Sequence, residues 1–198
     1  MTHFATSQPA FLRTWLLWTA GFVAFPVAGI AGDLAAGRVD DAPAALLGGL
    51  VTGAVLGTGQ VLVSRRRLDP RRWIPATAIG MALGLLLGAA IVGYGTSLGE
   101  LALMGALTGI VLGPAQALAL PARTHRRWLW AAALPILWAL GWTVTTVGGI
   151  SVENQFTIFG AYGAVTFSAL SGLLLHYLLP YRAEAGPGST QTRIETKA

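Results

Sequence analysis

The chain contains no cysteine, carries only 11% charged residues, and keeps all of them out of the middle of its long apolar runs. Each absence excludes something. Without cysteine there are no disulfides, no thiolate metal sites and no thiol nucleophile, and the redox compartment leaves no mark. A soluble domain carries about 25% charged residues, so 11% charge with 54% hydrophobic residues and a mean hydropathy of +0.63 places the chain in a bilayer. The exclusion of charge from the runs has a physical cause, since an Arg or Asp at the centre of a spanning helix costs about 2.5 to 3.5 kcal/mol to insert. His3, His125 and His176 and the scattered carboxylates form no cluster suited to holding a metal or moving protons. The expectation is a non-enzymatic protein with no catalytic residues, no metal and no cofactor.

What is present is a set of six apolar runs of about 20 residues, each long enough to cross roughly 30 Å of hydrocarbon as a helix. They read as Leu12–Ala31, Ala44–Ser64, Trp73–Gly95, Leu98–Leu120, Trp128–Ile150 and Phe156–Leu179. The fold class is therefore all-α, an integral membrane six-helix bundle over residues 1–182, followed by a disordered tail over 183–198 that is rich in Gly, Pro, Ser and Thr. The first run is read as a retained span, because it exceeds the apolar core of a secretory signal. Pro26 inside it deletes a backbone hydrogen bond and should kink it.

Charge orients the bundle. Arg65, Arg66, Arg67, Arg71 and Arg72 fill one connection and Arg123, His125, Arg126 and Arg127 another, whereas the intervening connections carry Asp33, Arg38, Asp40, Asp41, Glu100 and Glu153. The positive-inside rule then places both termini and both Arg-rich connections in the cytoplasm of a bacterial cell, with the chain in the inner membrane. That orientation accounts for the pI of 10.4 without any nucleic-acid partner. The partners expected are the lipid bilayer, where Arg can also touch anionic headgroups, and a membrane-protein partner or a second copy of the chain.

The stretch Gly49 to Arg67, GLVTGAVLGTGQVLVSRRR, returns as GALTGIVLGPAQALALPAR at Gly105 to Arg123, and Gly163-Ala164-Val165-Thr166 echoes it with Leu174 in place of the glutamine. Arg13-Thr14-Trp15, Arg71-Arg72-Trp73 and Arg126-Arg127-Trp128 open the odd runs alike, which puts each Trp at headgroup level with an Arg snorkelling past it. Recurrence at this interval signals a supersecondary unit used more than once. The expected architecture is three parallel helical-hairpin repeats, at about 12–64, 73–120 and 128–179, around an axis along the membrane normal. Glycines at four-residue spacing (Gly49, Gly53, Gly57; Gly80, Gly84, Gly88; Gly105, Gly109, Gly113) should let neighbouring backbones approach closely, as in GxxxG packing.

The candidate functional residues are few. Gln60 and Gln116 lie about one turn inside the cytoplasmic boundary, and with Thr58 and Thr108, and with Thr52, could line a polar patch that binds a solute or headgroup. The competing reading has the amides bonded to neighbouring helices. Pro114 and Pro135 free backbone carbonyls that could coordinate ions or merely bend their helices. Gly95-Thr96-Ser97-Leu98-Gly99 fits GxSxG, but the histidines fall at the other side of the membrane from Ser97. Ile91-Val92-Gly93-Tyr94-Gly95 resembles the filter of potassium channels over those five residues alone, and with no short pore helix before it a helix-ending turn is the simpler reading.

At GLVTGAVLGTGQVLVSRRR and the restart RRWIPATAIG, the chain resembles a group of bacterial multi-pass membrane proteins with repeated Gly-rich helices ending in Gln and an Arg cluster. The group brings no assigned activity. In length, number of helices and the Ala20, Ala24, Ala28 spacing, the chain also resembles the substrate-binding subunits of energy-coupling-factor vitamin importers, from which its internal self-similarity departs. The function expected is a non-enzymatic packing and interaction module; the alternative is a small permease or solute-binding membrane subunit for an uncharged or amphiphilic ligand.

Overall fold

The computed structural model describes residues 8–65, 67–150 and 157–179. The expected tail at 183–198 and Glu153 lie outside them. Among the described residues there are helices and no strands: α1 (Gln8–Ala20), a 3-10 turn (Gly21–Val23), α2 (Ala24–Ala36), α3 (Ala42–Val63), α4 (Pro70–Ile91), α5 (Leu98–Ala119), α6 (Trp128–Val147) and α7 (Ala161–Leu178). The first two helices form one interrupted span, so that six spans are long and apolar enough to cross a membrane. The protein is a multi-pass membrane protein.

Local chemistry sets the helix ends. Asp41 caps α3 by accepting from the Ala44 N–H at 2.7 Å, and Asp69 caps α4 by accepting from the Arg71 N–H at 2.9 Å. Pro43 and Pro70 occupy first-turn positions where no backbone donor is needed. Ser97 and Glu100 form a capping box on α5, each accepting from the other's backbone N–H. Ser97 thus serves as a helix cap. The tract Ile91–Gly95 ends α4 as a turn: Gly93 and Tyr94 have φ of 59° and 58°, and the Tyr94 N–H reaches back to the Ala89 carbonyl at 2.8 Å. The 3-10 turn ends just before Pro26, which cannot supply the N–H that α-helical pairing with Phe22 would require.

The spans form a closed ring. Each packs against the next in the chain, and α7 returns to α1. Neighbours run antiparallel, which brings the Arg-rich connections together at one end and Asp40, Asp41 and Glu100 at the other. The glycine stripes face successive neighbours. Methyl groups on Gly49 and Gly53 would lie 2.8 Å from Ala82 Cα and 2.7 Å from Ala78 Cα in α4; Gly57 also meets α4, at Ile74 Cα. Gly80, Gly84 and Gly88 lie against α5 at Leu112, Thr108 and Met104, and Gly105, Gly109 and Gly113 against α6 at Trp138, Pro135 and Ala131. Lipid tails are as apolar as the side chains, so close backbone contact supplies much of the attraction between helices.

Helix α6 has no such stripe. Its neighbour α7 begins at Ala161, later than the expected Phe156, and the preceding residues Thr157, Ile158 and Phe159 are buried outside any helix. Non-helical backbone is tolerated at membrane depth only when protein covers it. Gly141 on α6 makes room: a methyl there would lie 2.7 Å from the Phe159 ring. A groove of about 630 Å³ lies between Val144 and Val147 of α6 and Tyr162 and Val165 of α7.

Candidate functional site

The two glutamines meet in the interior near the Arg-rich end. Gly57 lets the first turn of α4 approach α3, which places Trp73 opposite Gln60; Gly113 does the same for Trp130 and Gln116 between α5 and α6. The Trp73 indole N–H donates to Gln60 Oε1 at 2.8 Å, and the Trp130 indole N–H to Gln116 Oε1 at 3.0 Å. Gln116 Nε2 donates to Thr77 Oγ1 at 2.9 Å and lies 3.5 Å from Gln60 Oε1, while the Thr77 hydroxyl donates to the Trp73 carbonyl at 2.8 Å. The two indole rings pack edge to face with centroids 5.8 Å apart. Gln60 is 5% exposed, Gln116 1%, and both indoles and Thr77 are fully buried.

The other sequence candidates lie elsewhere. Thr58 is exposed and bonds back to the Ala54 carbonyl at 2.8 Å, and Thr108 is buried but bonds back to the Met104 carbonyl at 2.8 Å. Neither hydroxyl joins the amides. Thr52 works toward the acidic end, bonded to Thr157 at 2.8 Å and to the Ala28 carbonyl at 3.2 Å.

The tryptophans correct the sequence reading most. Trp73 was expected at headgroup level and is fully buried, because its N–H finds an amide acceptor inside the ring. The residue on α6 that matches it is Trp130; Trp128 is exposed, with the Arg127 guanidinium 5.8 Å from its ring centroid. At the α7–α1 interface, where Leu174 replaces the glutamine, Trp15 donates to the Ala169 carbonyl at 2.9 Å and Trp18 to Ser171 Oγ at 3.0 Å. Ser171 is therefore engaged as an acceptor, and the His176 ring packs edge-on to Phe11 at 4.5 Å.

Sequence reasoning missed the aromatic group further along the axis. Phe159 packs on Trp138, Phe25, Phe167 and Trp142 at centroid distances of 4.9, 5.1, 5.9 and 6.0 Å. At the Arg-rich end Leu68, Leu120 and Leu179 are buried in the same apolar core. Arg67, half-buried beside them, donates from its guanidinium to the Leu179 carbonyl that ends α7. Burial pushes that guanidinium below the ordinary arginine value, and neighbouring Arg123 pushes it the same way.

In a buried network each missing partner leaves another polar atom stranded, at about 1–3 kcal/mol. Gln116→Leu strands the Trp130 N–H and removes the donor to Thr77. We expect it to lower the unfolding midpoint in detergent clearly more than Thr108→Val, whose lost hydroxyl serves only its own helix. Equal midpoints for the two variants would show that the network does not form. Comparison of the chain with protein-family models, with curated proteins and with solved structures finds no match.

Proposed function

We propose that this multi-pass membrane protein is a non-enzymatic packing and interaction module of a bacterial cytoplasmic membrane, with both termini inside and a membrane-protein partner or a second copy of itself as its counterpart. One observation carries the reading. Gln60 and Gln116, the amides best placed to greet a solute, are bonded to Trp73, Trp130 and Thr77. A solute would have to displace those partners before it could be held. The arrangement of charge supports the orientation, since Arg-rich connections gather at one end of the ring.

A permease or solute-binding subunit for an uncharged or amphiphilic ligand is the alternative. It draws support from the Trp138 indole N–H, buried against Phe159, and the Thr145 hydroxyl, buried against Gly163 of α7, both with no hydrogen-bond partner among the described residues. Native mass spectrometry of the purified protein, with lipids and solutes retained, separates the two. A stoichiometric protein partner or a defined homo-oligomer, unchanged in the Gln60→Ala, Gln116→Ala double variant, is the expected result. A specific small molecule carried by the parent and lost from the double variant would overturn the proposal in favour of transport.

A further inference from the structure

Two spans are broken, and they are neighbours in the ring. The first is interrupted by the 3-10 turn Gly21–Val23 ahead of Pro26, and the last begins only at Ala161, after the buried non-helical residues Thr157, Ile158 and Phe159. The two breaks meet. Phe25, two residues past the turn, stacks on Phe159 at 5.1 Å and packs on Phe167 of α7 at 5.5 Å. Discontinuous spans gather where a membrane protein has a pathway or a moving part, because irregular backbone needs protein or water around it.

Residues Thr157, Ile158 and Phe159 sit in a seat made by three other helices. A methyl group on Gly29 of α2 would stand 3.2 Å from Ile158, one on Gly32 of α2 2.7 Å from the Thr157 hydroxyl, one on Gly48 of α3 2.6 Å from the Thr157 methyl, and one on Gly141 of α6 2.7 Å from the Phe159 ring. Side chains hold the segment there, through the packing of the Phe159 ring and the 2.8 Å hydrogen bond between the Thr157 and Thr52 hydroxyls. Leaving the seat would unwind no turn of helix, since none includes these residues. Gly160, the extended N-cap of α7, and Gly149, with φ of 78°, are suited to act as pivots on either side.

The duplicated stretch supplies a comparison within the molecule. Thr52 and Thr108 are 56 residues apart, as Gln60 and Gln116 are, and each lies ten residues after the first residue of its helix (52 − 42 and 108 − 98). Both are buried. Thr108 lies against the continuous helix α4 at Gly84 and bonds back to Met104, whereas Thr52 is bonded to Thr157. The same residue at the same depth is thus sealed by a helix in one copy and by non-helical backbone in the other.

We propose that residues 157–160 are a gate, a plug that leaves its glycine-lined seat in a minor state and opens the axis to water from the acidic end as far as Trp138. Phe159 packs on Trp138 at 4.9 Å, and the indole N–H there has no partner among the described residues. The open state gives that donor a water to bond. A minor state of this kind is populated at about 0.1–10%.

The chain has no cysteine, so an introduced thiol is the only one present. In the full chain in a maltoside detergent, the rate of modification by a charged, water-soluble maleimide is compared for Thr52→Cys, Thr108→Cys and the exposed reference Gly99→Cys. We expect Thr52→Cys to react about 10–1,000-fold more slowly than Gly99→Cys, as the minor population requires, and Thr108→Cys about tenfold more slowly again, because only wider unfolding exposes it. Adding Phe159→Leu, which loosens the plug, should speed Thr52→Cys about three- to tenfold and leave Thr108→Cys unchanged. Thr157→Cys, in the plug itself, repeats the comparison should Thr52→Cys fail to fold. The proposal is overturned if the seat or plug thiol reacts no faster than Thr108→Cys, or if Phe159→Leu accelerates both alike, the mark of global opening.

Discussion

Gly109→Leu should prevent the protein from accumulating as a folded bundle, and even Gly109→Ala should lower its unfolding midpoint. A methyl group on Gly109 would stand 2.5 Å from both N and Cα of Pro135 and 2.6 Å from the Leu134 carbonyl oxygen. Carbon atoms in good contact sit about 3.5–4.0 Å apart, so α6 would have to retreat by roughly 1 Å for alanine and further for leucine. Those obstructing atoms are backbone, which no rotamer change can move aside. Retreat would also open the contacts of Gly105 and Gly113 with α6 and lengthen the bond from Trp130 to Gln116, at present 3.0 Å. Overpacking commonly costs about 1–3 kcal/mol, and here several contacts share one displacement. Gly99→Ala is the control, since a methyl there meets nothing within 4 Å; it should be neutral or stabilising through helix propensity. Accumulation in membranes and melting in detergent measure the effect. Parent-like behaviour of Gly109→Leu would mean that α5 and α6 do not meet through this stripe.

The spans were legible because their signals are one-dimensional: length and hydropathy mark a crossing helix, and charge marks its ends. The faces were partly legible. Four-residue glycine spacing picks out one side of α3, α4 and α5, but which neighbour that side meets depends on the closing of the ring, which no local pattern encodes. The amides stood out as polar letters in apolar text, and they bond to neighbouring helices as one of the two readings had it, but which residues they meet was not legible. Trp73 follows Arg72 just as Trp128 follows Arg127, and a Trp beside an Arg at a helix start has two good fates. It can sit among headgroups, as Trp128 does, or bury its N–H on an internal acceptor, as Trp73 does on Gln60. Three-dimensional proximity across 13 residues decides between them. The segment before α7 was illegible for a related reason: Thr157, Ile158 and Phe159 have the composition of a helix start, and only Gly141 and the surrounding rings show how non-helical backbone fits there.

That segment leads to the second large effect, in which Phe159→Ala should cost about 3–5 kcal/mol, the range for removing a buried aromatic ring. Phe159 is 1% exposed and is the common neighbour of Phe25 on α2, Trp138 and Trp142 on α6 and Phe167 on α7. Its removal leaves a void facing three helices whose backbones hold their own positions, so collapse would be incomplete and the cavity penalty would add to the lost apolar contact. Phe159→Leu should cost much less, because it keeps most of the volume. The indoles report the change directly: water reaching Trp138, whose N–H has no partner among the described residues, should shift its emission to longer wavelength in Phe159→Ala and scarcely at all in Phe159→Leu. A Phe159→Ala protein with the parent's midpoint and emission would show that the ring does not fill the axis. Loss of stability with a red shift would instead identify Phe159 as the side chain that keeps this half of the bundle closed. The same void, probed with small apolar hydrogen-bond acceptors, would then reveal whether Trp138 was built to meet a ligand or only to lie beneath a ring.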